Sequence, residues 1–223
     1  HLNELFIVWS GGGAAAGNAG ATKEIGLRDL MLVEDHRLGM VQALGVDASH
    51  GVILHALRQR LSSSPLGRSR LAREAARVPA LAAALLLGTG KLFVGLLEDF
   101  PALSNRVVHD PRQPSRIVVQ YSIPGELHIR RALFRSSILR AFRGLWPIFL
   151  NYAPELNWGH PCGTTRMGTS PSNSVTDPSG RVHGMENLWI VDAGLFPTSL
   201  GVNPALTVAA NALRISGGIA AAV

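Results

Sequence analysis

Apolar and polar positions in the last third of the chain predict a strand followed by a helix. Leu188–Val191 is a run of four apolar residues, three of them aromatic or β-branched, and so short a run is typical of a fully buried strand. Asn203–Pro204 then predicts a helix start, because asparagine is a favoured N-cap and proline is favoured at the first helical position. The helix is expected to run from Pro204 to about Ile215 and to stop at Gly217–Gly218. Its expected core-facing residues are Leu206, Val208, Leu213 and Ile215.

A hairpin and a longer helix are predicted upstream. Asn105–Val108 and Arg116–Tyr121 are rich in β-formers and are joined by a turn-rich stretch, which predicts two paired strands. Glu126–Arg143 predicts a helix whose apolar stripe consists of Leu127, Phe134, Ile138 and Phe142. Its arginines are interpreted as a solvated face, namely Arg130, Arg131, Arg135, Arg140 and Arg143.

The order of predicted elements at the N-terminus is similar to that of a dinucleotide-binding unit. Leu5–Trp9 predicts a strand, Gly11–Gly17 a glycine-rich turn, and Leu30–Glu34 a second strand that ends in an acid. The GxGxxG pattern nevertheless fails in both frames, because Ala14 and Ala16 each stand where a glycine is needed. We interpret the turn as a flexible loop, and expect an ADP-binding unit to be absent from this chain.

The most apolar run, Val78–Leu87, is too short to span a bilayer, and Lys91 interrupts any extension of it. A buried or lid helix is the favoured interpretation. The alternative is an interfacial patch, since a basic stretch precedes the run. A net charge of +6 suits either anionic lipid or solubility and does not decide between them. No nucleic-acid-binding module accompanies the charge, so a nucleic-acid partner is not expected.

Composition narrows the class of protein. With 47% hydrophobic and 16% charged residues, the chain is a folded one rather than a disordered one. Its 223 residues suffice for one sizeable core or two small lobes. Cys162 is the only cysteine, which excludes an intrachain disulfide and makes a metal site unexpected. A cytoplasmic location is the expectation.

Three polar residues are candidates for chemistry. His160 lies between Gly159 and Pro161, and its imidazole titrates near neutrality, which suits removal of a hydroxyl proton; a simply packed histidine is the alternative. Capping alone would explain Asn203, although a helix N-terminus also offers amides and a positive dipole end to an anion. Asp192 follows the predicted strand, where it either caps a turn or accepts hydrogen bonds from a cofactor.

The order of Asn157–Gly168, Val191–Ala193 and Gly201–Thr207 resembles the closing segment of the glucose-methanol-choline (GMC) oxidoreductases, and the resemblance continues without a gap to Ile215. It implies an α+β chain. Residues 1–150 would be part of a substrate-binding domain, with an antiparallel sheet and helices. Residues 151–223 would be the flavin-contacting segment, whose strand and helix belong to an FAD-binding α/β domain. Gly194 departs from the serine that is common in that family.

The resemblance also implies a reaction. The cofactor would be FAD, the substrate a small-molecule alcohol, hydrophobic or not, and the electron acceptor oxygen or a quinone-like compound. His160 would accept the hydroxyl proton while a hydride passes to flavin N5, and Asn203 would orient the same oxygen. The flavin would be held by Asp192, Ala193, Asn203, Pro204 and Thr207. The alternative is a non-catalytic or membrane-peripheral module that keeps the fold without flavin.

Overall fold

An antiparallel sheet with helices packed around it confirms the α+β class. The computed structural model describes residues 1–9, 25–47, 50–62, 69–87 and 90–222. Its strands are β1 (Leu2–Val8), β2 (Gly26–Leu27), β3 (Leu32–Val33), β4 (His36–Arg37), β5 (Gly39–Asp47), β6 (Lys91–Leu97), β7 (Arg106–His109), β8 (Ile117–Gln120), β9 (Ile148–Phe149) and β10 (Glu155–Leu156). Its helices are α1 (His50–Ser62), α2 (Arg70–Ala75), α3 (Arg77–Leu87), α4 (Gly125–Ala141) and α5 (Ala205–Ala222).

The central sheet has the strand order β10–β1–β6–β5–β2, and β9 also pairs with β1. Strands β1 and β6 pair over their full lengths, with Leu2 opposite Leu97, so the chain leaves β6 towards Asp99 next to the start of β1. The three partners of β1 are all antiparallel, whereas a dinucleotide-binding unit is built from parallel strands. The predicted strand Leu30–Glu34 is only the short β3, paired with β4. The predicted turn Gly11–Gly17 lies outside the described residues.

Helix α4 packs on one face of this sheet and confirms the predicted apolar stripe. Leu127, Phe134, Ile138 and Phe142 are all buried in one core cluster with Phe6 and Phe93. The helix approaches β6 closely at Gly95, where a Cβ atom would stand 2.7 Å from the Phe134 ring. Burial of each large apolar side chain stabilises the fold by about 1.5–3 kcal/mol.

The arginines of α4 do not form one solvated face. Arg130 is only 3% exposed, and Arg131 and Arg135 both form ion pairs with Glu4, which is fully buried on β1. A buried carboxylate requires paired charges and hydrogen bonds, and these two arginines supply them. The prediction holds for Arg140 and Arg143, which are exposed.

The predicted hairpin is confirmed as β7–β8, a separate two-stranded sheet with Arg106 opposite Gln120 and His109 opposite Ile117. Helix α3 forms where the apolar run predicts a helix, but it is not buried, since Val78, Leu81 and Leu85 are exposed. Among the described residues, its contacts are mainly with α1 and α2, and these contacts leave one side of the helix uncovered. Among the described residues, no helix is both long enough and apolar enough to cross a membrane.

The predicted buried strand at Leu188–Val191 is not formed. Trp189 makes a single bridge with Arg181, and Leu188 and Val191 are exposed. A strand requires a run of backbone pairs along at least one neighbour. Within the described ranges, residues 180–182 supply only a short contact of this kind.

Helix α5 differs from its prediction at both ends. It begins at Ala205 and continues through Gly217 and Gly218 to Ala222; glycine costs about 1 kcal/mol relative to alanine inside a helix, which disfavours the helix without forbidding it. Ile215 is buried as predicted, but Leu206 is 83% exposed and Leu213 is 76% exposed. The helix therefore packs along a narrow stripe, and the two leucines point to solvent.

Candidate active site

A cleft of about 350 Å³ opens where β6 ends, between hairpin β7–β8 and the turn that contains His160. Its polar lining consists of Asp99, Asn105, Arg106, Gln120, Tyr121, Asn157, His160, Thr164, Arg166, Thr198 and Ser199, together with His1 and Cys162. Its apolar lining includes Phe100, Leu103, Val107, Val119 and Trp158. Concave sites that mix apolar walls with a few polar groups are typical of small-molecule binding.

The floor of the cleft joins the end of β6 to the C-terminal segment. The Asp99 amide donates to Ser199 Oγ at 2.7 Å, and the Ser199 amide donates to the Asp99 carbonyl oxygen at 3.1 Å. Next to them, the buried Glu98 carboxylate accepts from the Thr198 hydroxyl and from Arg37 Nη2, the latter at 2.7 Å. These contacts fix the two segments to each other although about a hundred residues separate them.

One wall is held by Tyr121, whose hydroxyl donates to Asp99 Oδ2 at 2.7 Å. Burial raises the pKa of Tyr121, and the hydrogen bond to Asp99 and the charge of that carboxylate raise it further, so the phenol stays protonated and remains a donor. The Trp158 ring packs edge-to-face on Tyr121 with their centroids 5.4 Å apart. Asp99 Oδ1 is buried and has no hydrogen-bond partner among the described residues.

His160 lines the same cleft and is half-buried. The turn before it is fixed by Asn157. Its side-chain Oδ1 accepts from the Gly159 amide at 2.8 Å, and its backbone N–H donates to the His1 carbonyl oxygen at 2.9 Å. The ring of His1 lies 5.3 Å from the His160 ring, centroid to centroid. The structure thus places the predicted base at a surface that a small molecule can reach.

Cys162 stands on the same wall two residues later and is half-buried. Burial raises the pKa of its thiol. A thiol that stays protonated is a weak nucleophile, so packing explains this residue better than reactivity does.

Asn203 does not line the cleft that contains His160. Its Nδ2 donates to Oε1 of Gln42, a buried residue of β5, at 2.8 Å. This differs from the N-cap prediction, because the side-chain amide of Asn203 binds the sheet and α5 begins two residues later, at Ala205. The reason is local, since the Gly201 carbonyl oxygen accepts from Met40 of β5 at 3.0 Å and so holds this segment against the strand.

Asp192 caps a turn, as one of its two interpretations predicts. Its Oδ1 accepts from the Gly194 amide at 2.8 Å and begins the short 3₁₀ helix Ala193–Leu195. A Cβ atom at Gly194 would stand 2.5 Å from Thr165 Oγ1 and 2.9 Å from Thr164 Oγ1. The two threonine hydroxyls occupy the space that a serine at this position would need.

The exposure and polarity of the residues predicted to hold the flavin suit the polar edge of its ring. Asp192 is exposed, and the first turn of α5, including Thr207, is exposed after the buried Pro204. A helix start offers unpaired amides and the positive end of the dipole to an anion. An exposed aspartate and a helix start are chemically suited to the hydrogen-bonding edge of a flavin.

Sequence reasoning missed Asp99, Tyr121, Trp158 and Ser199 as parts of a site. A signal for Asp99 was present, because it follows the apolar strand β6 by two residues. The other three belong to the site only because tertiary contacts of the fold bring them to the cleft.

Comparisons show which known proteins this chain is similar to. Residues 148–212 match the profile of the family described as GMC oxidoreductase. The chain is 34% identical over 137 residues to 6'''-hydroxyparomomycin C oxidase of Streptomyces lividus, and 46% identical over 133 residues to paromamine 6'-oxidase of Streptomyces fradiae. Each alignment covers 56% of this chain and 24% of the relative, so the chain spans a minor part of their length. The crystal structure of pyridoxine 4-oxidase from Mesorbium loti aligns with a TM-score of 0.45 and 18% identity, covering 81% of this chain and 33% of that chain.

Proposed function

We propose that this chain, whose residues 148–212 match the GMC oxidoreductase profile, belongs to an FAD-dependent enzyme that oxidises an alcohol. The observation that carries the proposal is the position of His160, which lies inside the matched segment and in the wall of the cleft. A neutral imidazole there accepts the proton of a substrate hydroxyl.

Asn203 lies outside the lining of the cleft that contains His160, and it is proposed to orient the same substrate oxygen when substrate and cofactor are bound. Gln42 anchors its amide, and an anchored side chain loses little freedom when substrate binds. The proposal for Asn203 is supported by its place in the matched segment.

FAD, when bound, would accept the hydride from the carbon of the alcohol. The exposed first turn of α5 and the exposed Asp192 are the groups of this chain proposed to hold the polar end of its ring, with Ala193, Pro204 and Thr207 beside them. The positive end of the helix dipole favours negative charge nearby. Both relatives are named as oxidases, which supports oxygen as the electron acceptor.

Flavin absorbance tests the proposal directly. The protein that carries this chain is purified, its flavin spectrum is recorded without air, and small alcohols are added. We expect bleaching of the oxidised flavin bands and recovery of the bands on exposure to air. Bound flavin that no alcohol reduces would instead favour a non-catalytic module.

A further inference from the structure

We propose that Asp99 is a specificity-determining residue, and that its Oδ1 atom accepts a hydrogen bond from a second polar group of the substrate, a hydroxyl or an ammonium group away from the reacting carbon. The inference rests on the proposed function, because it concerns which alcohols the cleft selects.

The Asp99 carboxylate is held in place but is only half satisfied. Tyr121 occupies Oδ2, and two hydrogen bonds with Ser199 fix the backbone. Oδ1 is buried and has no hydrogen-bond partner among the described residues. A buried polar atom without a partner is unfavourable, and more so when it is charged, so a ligand that supplies a donor recovers that cost.

Two arginine donors of the cleft lining are directed to other acceptors. Arg106 Nε donates to Gln120 Oε1 at 3.4 Å, and Arg166 Nε donates to the Asn173 carbonyl oxygen at 2.9 Å. Asp99 is also the only carboxylate among the described residues of the lining. A substrate group that only donates hydrogen bonds therefore has one charged acceptor to bind.

An aromatic surface lies next to this carboxylate. Trp158 is 57% exposed and packs on Tyr121, which in turn binds Asp99. A ring with an apolar face and polar substituents can place its face on Trp158 and a substituent on Asp99. Trp158 also precedes His160 by two residues, so one turn carries both the aromatic platform and the proposed base.

The volume of the cleft agrees with a ligand of that size. Pockets for small molecules begin at about 300 Å³, and this cleft has about 350 Å³. We therefore expect single-ring alcohols with a second donor group to be better substrates than ring alcohols without one.

Three matched probes isolate the second group: cyclohexanol, trans-cyclohexane-1,4-diol and trans-4-aminocyclohexanol. Their kcat/KM values are measured with the flavin-loaded protein, and their binding is followed separately by quenching of tryptophan fluorescence. Wild type is expected to prefer the diol or the amino alcohol to cyclohexanol by about tenfold or more. Asp99→Asn, which keeps the shape but removes the charge, is expected to reduce that preference by about tenfold, whereas Asp29→Asn, at an exposed position outside the cleft, keeps it.

The losses measured with the diol and with the amino alcohol identify which substrate group binds Asp99. A larger loss for the amino alcohol assigns an ammonium group, and equal losses assign a hydroxyl. Tyr121→Phe, which removes the hydroxyl that orients Asp99, should lower the same preference several-fold and gives a second route if Asp99→Asn folds poorly. An unchanged preference in Asp99→Asn, or no preference in wild type, overturns the inference. Selective binding of the diol or amino alcohol without flavin reduction would contradict the proposed oxidation while leaving the role of Asp99 intact.

Discussion

Arg130 Nη1 donates to the carbonyl oxygen of Glu98 at 2.7 Å, and this bond ties helix α4 to the end of β6. The same nitrogen donates to the Arg37 carbonyl oxygen at 2.9 Å, and the guanidinium lies 4.1 Å from the centroid of the Phe100 ring. A buried arginine therefore supports the strand end that carries Asp99.

Replacement of Arg130 by methionine should destabilise the fold. The two carbonyl oxygens lose charge-assisted donors, and the change in the free energy of unfolding is expected to be a loss of about 2–4 kcal/mol. Denaturant unfolding measures it. Arg140→Met, on the same helix but exposed, is the control and should change stability by no more than about 0.5 kcal/mol; similar losses in the two variants would contradict the supporting role of Arg130.

His160→Ala should lower turnover about a hundred- to ten-thousandfold while flavin stays bound, because the proposed general base is removed. Steady-state rates and the flavin spectrum together check this. His128→Ala, at an exposed site on α4, should leave the rate unchanged. Wild-type turnover in His160→Ala would reject the base.

Asn203→Ala should reduce catalysis more than stability. Loss of one hydrogen bond to Gln42 costs about 1 kcal/mol, whereas loss of a group that positions the reacting oxygen costs about a hundredfold or more in rate. Melting temperature and rate per folded molecule are compared. Gln42→Leu, which removes only the anchor, should slow the reaction less than Asn203→Ala does; a stability loss alone would leave Asn203 with a structural role.

Gly194→Ser should destabilise the turn that Asp192 caps. The added atoms meet the hydroxyls of Thr165 and Thr164 at less than contact distance, and overpacking of this kind costs about 1–3 kcal/mol. Thermal unfolding checks the loss. Adding Thr165→Ala to Gly194→Ser removes the nearest atom and should recover part of the stability. If Gly194→Ser alone is as stable as wild type, the threonines move aside at little cost.

Asp177 should make the stability of the fold depend on pH in the acid range. Burial alone raises the pKa of this carboxyl, but hydrogen bonds from the Ser179 hydroxyl and from the amides of Arg181 and Ser179, with the Arg181 charge, lower it overall. A lowered folded-state pKa stabilises the protein above the unfolded-state pKa of about 3.9, and this contribution is lost as pH falls through the folded-state value. The difference in melting temperature between wild type and Asp177→Asn should therefore narrow below about pH 4; a constant difference would contradict it.

The sequence predicts correctly those elements that are determined by residues a few positions apart. The α4 stripe of Leu127, Phe134 and Ile138, and the β7–β8 hairpin, are set by spacing and turn residues, and both are confirmed. The motif around His160 was likewise visible, and the structure places it in the cleft.

Long-range pairing explains what the sequence did not predict. Arg131 and Arg135 look like surface residues until Glu4 is brought beneath them from 127 and 131 positions away. Asp99 acquires its place in the site from Ser199, 100 residues later. Leu188–Val191 has the composition of a buried strand, but composition does not supply the neighbouring backbone that a strand needs.

The buried Glu4 also has a consequence for how the sheet assembles. Side chains alternate between the faces of a strand, so a slip of β1 by one residue against β6 would turn Glu4 to the opposite face. Arg131 and Arg135 would then lose their carboxylate, and a buried charge left without its counter-ion costs about 3–5 kcal/mol. Apolar residues alone would tolerate that slip more easily, since Leu5 and Ile7 would replace Phe6 and Val8 on the helix side. The two ion pairs of Glu4 thus discriminate against the wrong alignment of the two central strands, and so fix where β6 ends and where the cleft begins.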